Sequence, residues 1–461
     1  MTELIKKSLR DSKTARWGAL AIISFTMLCG YLFAQIISPL KPMLELPVAE
    51  GGLGIDSASF AMIASAYAWF NVFIGMLIIS GMILDKIGIR FTAIMSAAVM
   101  VVGAIVMWYS FDHDFQSGSK IFGLHARIFF ASVGYAIFGV GVEAAGITVS
   151  KIIVKWFKGK EMALAMGLEM AFARLGTTIA LFSAPFIAER FNIAAPFGFG
   201  ALLLVIGLLS FIIYVFMDIK LDKESSAKQT LAEDEFKPSD ILFIIKNRGF
   251  WYIAILCVLF YSAVFPFYHY GPDLMVNKFG MIERWAGSIP ALVPLGTILL
   301  TPIFGSLYDR KGKGASIMIL GSVLLILVHL TLFLPFITSV IVAAIAIIVM
   351  GIAFSLVPSA MWPSVPKIIP EKQLGSAYAL IFWLQNLGAF WGFPLLIGII
   401  LDRTNPGVFD AKQAGEDVVY NYTTTWSIFI GVAVLALVFA FLLKAEDKRK
   451  GYGLELPNIE K

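Results

Sequence analysis

Gly81-Met-Ile-Leu-Asp85-Lys86-Ile-Gly88-Ile-Arg90 and Gly305-Ser-Leu-Tyr-Asp309-Arg310-Lys311-Gly312-Lys313 decide the fold, because each closes a long apolar run and the two read as one motif written twice. Around them the chain is almost continuous hydrocarbon. Apolar stretches of roughly 20 residues, the length that crosses about 30 Å of bilayer as helix, recur along it. In the first half they lie near Trp17 to Leu40, Ser59 to Leu84, Phe91 to Phe111, Leu124 to Val149, Met162 to Ile187 and Pro196 to Met217. In the second they lie near Gly249 to Tyr270, Ala286 to Leu307, Ala315 to Leu334, Ser339 to Ser364, Leu374 to Leu401 and Thr425 to Leu443. The runs are continuous rather than alternating, which argues against a barrel of short strands. The expected fold is all-α and polytopic, with twelve transmembrane helices in two six-helix bundles.

Composition agrees. With 59% hydrophobic and 15% charged residues and a mean hydropathy of +0.84, 461 residues are too apolar for a soluble domain. The polar stretch between the halves divides the chain into a bundle over residues 1–217, a cytosolic linker over 218–248, and a second bundle with its tail over 249–461. Of 36 Lys and Arg, only Lys41, Lys120, Arg190, Lys278, Arg284, Arg403 and Lys412 fall in loops on the side away from that linker, while Arg127 and Arg174 lie within spans. The bias predicts that both termini are cytosolic. It also accounts for the net charge of +5, so no nucleic-acid partner is expected. Arg127 reads as an outer-end residue that snorkels and anchors. Cys29 and Cys257 sit inside spans without metal-ligand neighbours. No Gly-x-Ser-x-Gly, phosphate loop or His-carboxylate cluster appears, and neither catalysis nor a cofactor nor a metal is expected.

Glu143 and Arg174 are charges inside apolar runs, where an ionisable group is costly and marks function by default. Glu143 lies fifteen residues before Lys158 and Arg174 fourteen after Lys160, so both sit roughly 21 to 23 Å from the same short turn. They are expected at one depth on adjacent antiparallel helices, paired with each other when no substrate is present. The guanidinium fork suits a carboxylate and the Glu side chain suits an ammonium, so together they can hold a zwitterion; a structural ion pair is the alternative. Lys160-Glu161 followed by Met-Ala-Leu-Ala-Met-Gly-Leu echoes Lys372-Gln373 followed by Leu-Gly-Ser-Ala-Tyr-Ala-Leu. The same offset carries Arg174-Leu-Gly onto Asn386-Leu-Gly, giving Arg174 a polar mate in the other half. Parallel repeats of this kind put substrate near the midplane between halves.

The doubled motif, Gly81, Asp85, Gly88 and Arg90 in one half and Gly305, Asp309, Arg310 and Gly312 in the other, resembles the major facilitator superfamily. Its glycines allow tight turns and close helix approach, and its charges can cap helices and lock the cytosolic side. A closer resemblance covers most of the chain. Gly-Val-Gly-Val-Glu143, Trp156-Phe-Lys-Gly-Lys-Glu161, Ala-Arg174-Leu-Gly, Ala263-Val-Phe-Pro-Phe267, Met-Trp362-Pro, Gln373-Leu-Gly-Ser-Ala-Tyr378 and Leu-Gln385-Asn386-Leu-Gly are similar to the lysosomal dipeptide transporter family. That resemblance implies facilitated carriage of short peptides alongside a glycosylated partner subunit, with Glu143 on the substrate amine and Arg174 on its carboxylate. The chain departs from the family pattern at Gly134-Tyr135-Ala136, where the family has Gly-Arg-Phe, and at Glu169, where the family is uncharged.

Other residues can join the site. Gln385 and Asn386 can bond a peptide group or merely tie helices together. Trp362 can wall a side chain or simply pack, and Tyr67 is a weaker cavity candidate. Pro266 interrupts the seventh span and suits an outer gate. His269 beside it can sense protons or stand in solvent. Glu169 lies about 13 Å from the inner turn and some 140° around the helix from Arg174. It can carry a proton, which would make the protein a symporter rather than a uniporter, or meet a polar helix neighbour. Organic anions such as dicarboxylates are the alternative substrate, although a carboxylate in the site serves an anion carrier poorly. The protein is expected to be a monomer in the lipid bilayer. Short tails and sparse outer loops suit a bacterial inner membrane, where the sequon at Asn421 is silent.

Overall fold

The computed structural model describes residues 11–116, 119–157, 160–224, 238–370 and 373–458. In hydrocarbon every backbone N–H and C=O must be satisfied within its own segment, so the apolar runs become helices. The first half holds α1 (Lys13–Ile36), α2 (Ser57–Ala66), α3 (Met76–Ile87), α4 (Ile89–Asp112), α5 (Ala126–Phe157), α6 (Met162–Arg190) and α7 (Ala195–Glu224). The second holds α8 (Arg248–Ser262), α9 (Phe265–Asn277), α10 (Leu292–Lys311), α11 (Gly314–Phe333), α12 (Val340–Ile368), α13 (Leu374–Gln385), α14 (Phe393–Thr404) and α15 (Thr423–Lys450). A two-residue hairpin, Lys120–Ile121 with Leu124–His125, is the strand content of the described residues.

Eleven stretches among the described residues are long and apolar enough to cross a membrane as helix. The remaining expected crossing, Ser59 to Leu84, is broken. α2 stops at Ala66, a π-helical turn occupies Phe70–Ile74, and Gly75 takes φ +71° before α3 starts. The Trp383 indole N–H reaches the Val72 carbonyl at 3.0 Å, tying the break to the second half. Two further crossings are interrupted. α8 and α9 meet at Ala263 and Val264, with Pro266 in the first turn of α9, and a π-helical segment over Asn386–Gly392 joins α13 to α14. Irregular backbone at such depth is tolerated where it borders a cavity or other protein rather than lipid.

The internal echo has a packing counterpart. A Cβ on Gly176 would lie 2.2 Å from the Leu28 carbonyl of α1, and one on Gly388 would lie 2.4 Å from the Val258 side chain of α8. Arg174-Leu-Gly and Asn386-Leu-Gly therefore each seat a helix against the first helix of their own half, which small residues permit.

The two loop motifs anchor differently. Arg90 donates to Asp218 at 2.7 Å and also pairs with Asp222, while Lys155 reaches the same two carboxylates at 2.7 and 2.9 Å. Asp85 takes Lys151 at 2.7 Å. These pairs explain why α7 continues to Glu224, past the expected linker start at 218: Asp218 and Asp222 are one turn apart and face the same cations. In the second motif Arg310 is exposed, and Asp309 receives the Asn458 backbone N–H at 3.0 Å and its side-chain amide at 2.8 Å. Gly88 and Gly312 supply the positive φ that ends α3 and α10. The expected close helix approach at Gly81 and Gly305 is absent, because a Cβ at either would meet nothing within 4 Å.

The end away from the linker is sealed. Lys41, on the short helix Lys41–Glu45, holds Asp273 of α9 at 2.7 Å and Glu45 at 3.6 Å; Lys412 also reaches Glu45 at 3.6 Å. The Tyr420 and Tyr422 hydroxyls donate to Glu45 and Asp273. Lys41, expected in a solvated loop, is only 2% exposed, and Asp273 is fully buried. α2 packs along α14, and α6 along α10, so the two halves meet closely at this end. Arg127 does not snorkel either: it is buried and donates to the His113 carbonyl at 3.2 Å.

Candidate functional site

A cavity of about 670 Å³ lies between the halves, within the size range of small-molecule sites. Glu143, Arg174, Tyr67, Trp362, Gln385, Asn386 and His269 all line it, and Glu169 does not, although its neighbours Met166 and Met170 do. The helix breaks at Ala263–Val264 and Asn386–Gly392 border the same space.

Glu143 and Arg174 share the cavity but not an ion pair. Among the described residues, Glu143 Oε1 accepts from the Tyr67 hydroxyl at 2.9 Å. The Arg174 guanidinium lies over the Phe354 ring, 5.1 Å from its centroid. The expectation of adjacent, paired helices fails because α5 packs chiefly on α4 and α6 on α1, leaving α5 and α6 only lightly in contact. Turn counting fixes depth along a helix and leaves its neighbour open. The two charges stand apart in one cavity, each with a neutral aromatic partner. A cation over a ring face keeps its in-plane N–H groups available, and those form the fork that matches a carboxylate.

The remaining candidates form walls. Tyr67 packs its ring against Tyr135 and against Phe390 of the second half, at 5.5 and 5.4 Å. The departure at Tyr135 has a local role, since its hydroxyl donates to the Ala34 carbonyl of α1 at 2.5 Å. The Trp362 indole donates to the Tyr261 hydroxyl at 3.1 Å, and its ring stacks on Phe382 at 4.9 Å. Gln385 and Asn386 are buried, and among the described residues Gln385 Oε1 and Asn386 Oδ1 find no hydrogen-bond partner. Asn386 Nδ2 is turned to the Phe382 carbonyl at 3.1 Å, so its acceptor oxygen points elsewhere. That leaves two buried acceptors bordering the cavity, a costly arrangement without a donor.

His269 does not stand in solvent. It is 7% exposed, and its Nδ1 lies 2.9 Å from the Ser38 hydroxyl across the junction of the halves. Glu169 is also buried, at 8% exposure, and makes no hydrogen bond or ion pair among the described residues. The polar helix neighbour expected for it is missing.

Sequence reasoning overlooked Tyr31, Gln35, Tyr261 and Tyr268, which all line the cavity. Gln35 left a signal, a lone amide inside an apolar helix. The tyrosines left little, because an aromatic in a membrane helix is ordinarily packing. Asp273 was legible in principle as a carboxylate four residues beyond His269 on one helix face.

The family model described as Major Facilitator Superfamily matches residues 23–393 and 286–456. The chain belongs to the major facilitator superfamily. Within that superfamily it is 29% identical over 416 residues to the lysosomal dipeptide transporter MFSD1 of Danio rerio, covering 88% of this chain and 82% of that one. It is 27% identical over 400 residues to the protein of the same name from Homo sapiens, covering 83% and 80%. Among solved structures, a peptide transporter POT in complex with alafosfalin superposes with a TM-score of 0.69 at 15% identity, covering 97% and 96% of the two chains. The chain is thus a multi-pass integral membrane transporter with the major facilitator fold, and its sequence resemblance to the lysosomal dipeptide transporters extends over most of its length.

Proposed function

We propose that this protein carries short peptides, dipeptides foremost, across a membrane by alternating access of the central cavity. The observation that carries the reading is the separation of Glu143 and Arg174 across one cavity without an ion pair between them. A carboxylate and a guanidinium held apart are complementary to the two ends of a zwitterion, ammonium to Glu143 and carboxylate to Arg174. The unpaired acceptors on Gln385 and Asn386 suit a peptide N–H between those ends. The Trp362 and Phe382 rings offer a flat wall to a side chain. A dicarboxylate would use Arg174 and be repelled by Glu143, which places it second. The names of the relatives point the same way.

Charge bears on orientation. The Lys and Arg excess on the linker side supports a cytosolic linker and cytosolic termini, and the sparse outer loops support a bacterial inner membrane. The cavity then stands closed toward the outside by the Lys41–Asp273 cluster, and the loop motifs, whose Gly81 and Gly305 are uncrowded here, would close the cytosolic side in the alternate state.

Purified protein reconstituted into liposomes tests the function. Labelled dipeptide enters on this account, and Arg174→Ala or Glu143→Gln stops it while each variant keeps its fold. Losing one charge-assisted contact in a desolvated site costs roughly 2–5 kcal/mol, about thirtyfold or more in apparent affinity. Undiminished uptake by either variant would dismiss the assignment.

A further inference from the structure

Tyr268, on α9, is 1% exposed and lines the cavity, yet its hydroxyl has no hydrogen-bond partner among the described residues. A buried hydroxyl left unpaired is costly, and its persistence on a cavity wall points to a partner supplied by a ligand. Arg174 and Tyr268 line the same cavity, one from each half. Arg174 itself gives its guanidinium face to Phe354, and its N–H groups find no acceptor among the described residues. A carboxylate accepts about four hydrogen bonds, and a bidentate guanidinium uses only part of that capacity.

We propose that Tyr268 is the second donor to the substrate carboxylate, offered from α9 of the second half while Arg174 offers its fork from α6 of the first. The proposal rests on the dipeptide reading and deepens it. Other polar groups of the wall are suited differently. The unpaired oxygens of Gln385 and Asn386 are acceptors, which a carboxylate avoids; the Tyr261 hydroxyl is already held by the Trp362 indole, whereas the Tyr268 hydroxyl makes no hydrogen bond among the described residues. Tyr31 belongs to the same half as Arg174 and cannot bridge. Tyr268 is a donor of the second half, so its engagement joins the halves. It sits one residue before His269, which bonds Ser38, and five before Asp273, which bonds Lys41. Substrate carboxylate at Tyr268 therefore acts on the element that holds the outer seal.

Uptake of a dipeptide and of its C-terminal amide by wild type and Tyr268→Phe tests this. The expected result is a KM for the free dipeptide raised about tenfold in the variant with kcat little changed, as for loss of one hydrogen bond to a charged group. Uptake of the amide, which lacks the carboxylate, is the same in both proteins. Removal of the unpaired hydroxyl leaves the melting temperature of the unliganded variant equal to or above wild type, while the dipeptide-induced rise shrinks. Equal losses for dipeptide and amide, or no loss for either while Arg174→Ala still abolishes uptake, would overturn the assignment of Tyr268 alone. A wild type that moves no dipeptide overturns the parent reading, and this one with it.

Discussion

Arg174 keeps its place by two different contacts, a ring face from Phe354 and an open edge toward the cavity. A lysine retains charge but loses the planar fork and most of the stacking. Arg174→Lys is expected to transport dipeptide with KM raised about tenfold or more, measured against Arg174→Ala, which is expected to be inactive. Full activity of the lysine variant would make Arg174 a mere point charge. Glu143 and Arg174 were legible in the sequence because a charge inside a hydrocarbon run has few justifications. Their separation was not, since it depends on α1 standing against α6: Gly176 permits a close approach, but a glycine does not specify which helix it meets. Tyr268 and Tyr31 were illegible for the opposite reason: a phenol on an apolar helix is as useful for packing as for binding.

Among helices, α6 carries the most information. It presents Arg174 to the cavity, Gly176 to α1, and Glu169 to a buried setting where it makes no hydrogen bond or ion pair among the described residues. Gly176→Val forces a side chain into the Leu28 carbonyl and is expected to cost about 1–3 kcal/mol or more, read as a lower melting temperature. Gly167→Ala on the same helix meets open space and should melt as wild type. Matching losses in the two would remove the close contact as the cause. Holding an unpaired charge at Glu169 is expensive, and we propose that carboxylate as the group that would carry a proton if transport is coupled. Dipeptide uptake should therefore acidify the liposome lumen in wild type and leave it unchanged in Glu169→Gln; a neutral lumen in wild type would establish uniport instead. The spans were legible from the hydrocarbon runs, and the break near Pro266 from the proline, but not how far α5 and α7 run on past them, to Phe157 and Glu224. The break at Phe70–Gly75 was hidden, because a π-helical turn in an apolar sequence has no composition of its own.

For the whole molecule, the buried Lys41–Asp273–Glu45 cluster ties the short helix Lys41–Glu45 to α9 at the end away from the linker. Breaking such a pair leaves a charge buried without compensation, at roughly 3–5 kcal/mol, and a protein with two states escapes toward the one that exposes it. A cysteine at Leu44, fully buried here, should resist maleimide in an otherwise wild-type background and react once Lys41→Met is added. Persistent protection in a folded Lys41→Met protein would mean that apolar packing alone holds the outer end. The twofold plan of the molecule was written in its repeated motif, whereas the side on which it is closed was not. Lys41 looked like one more loop cation, and only the folding of its short helix onto α9 makes it a seal.

The central claim is a clamp with one end for an ammonium and one for a carboxylate, and the change in melting temperature on adding end-modified ligands probes it most directly, since only binders shift it. A free dipeptide is expected to raise the wild-type midpoint, with the rise reduced by acetylating the amine or amidating the carboxylate and absent for a dicarboxylate. Glu143→Gln should become indifferent to acetylation and Arg174→Ala to amidation. A dicarboxylate that stabilises as well as the dipeptide, with blocked ends costing nothing, would contradict the clamp.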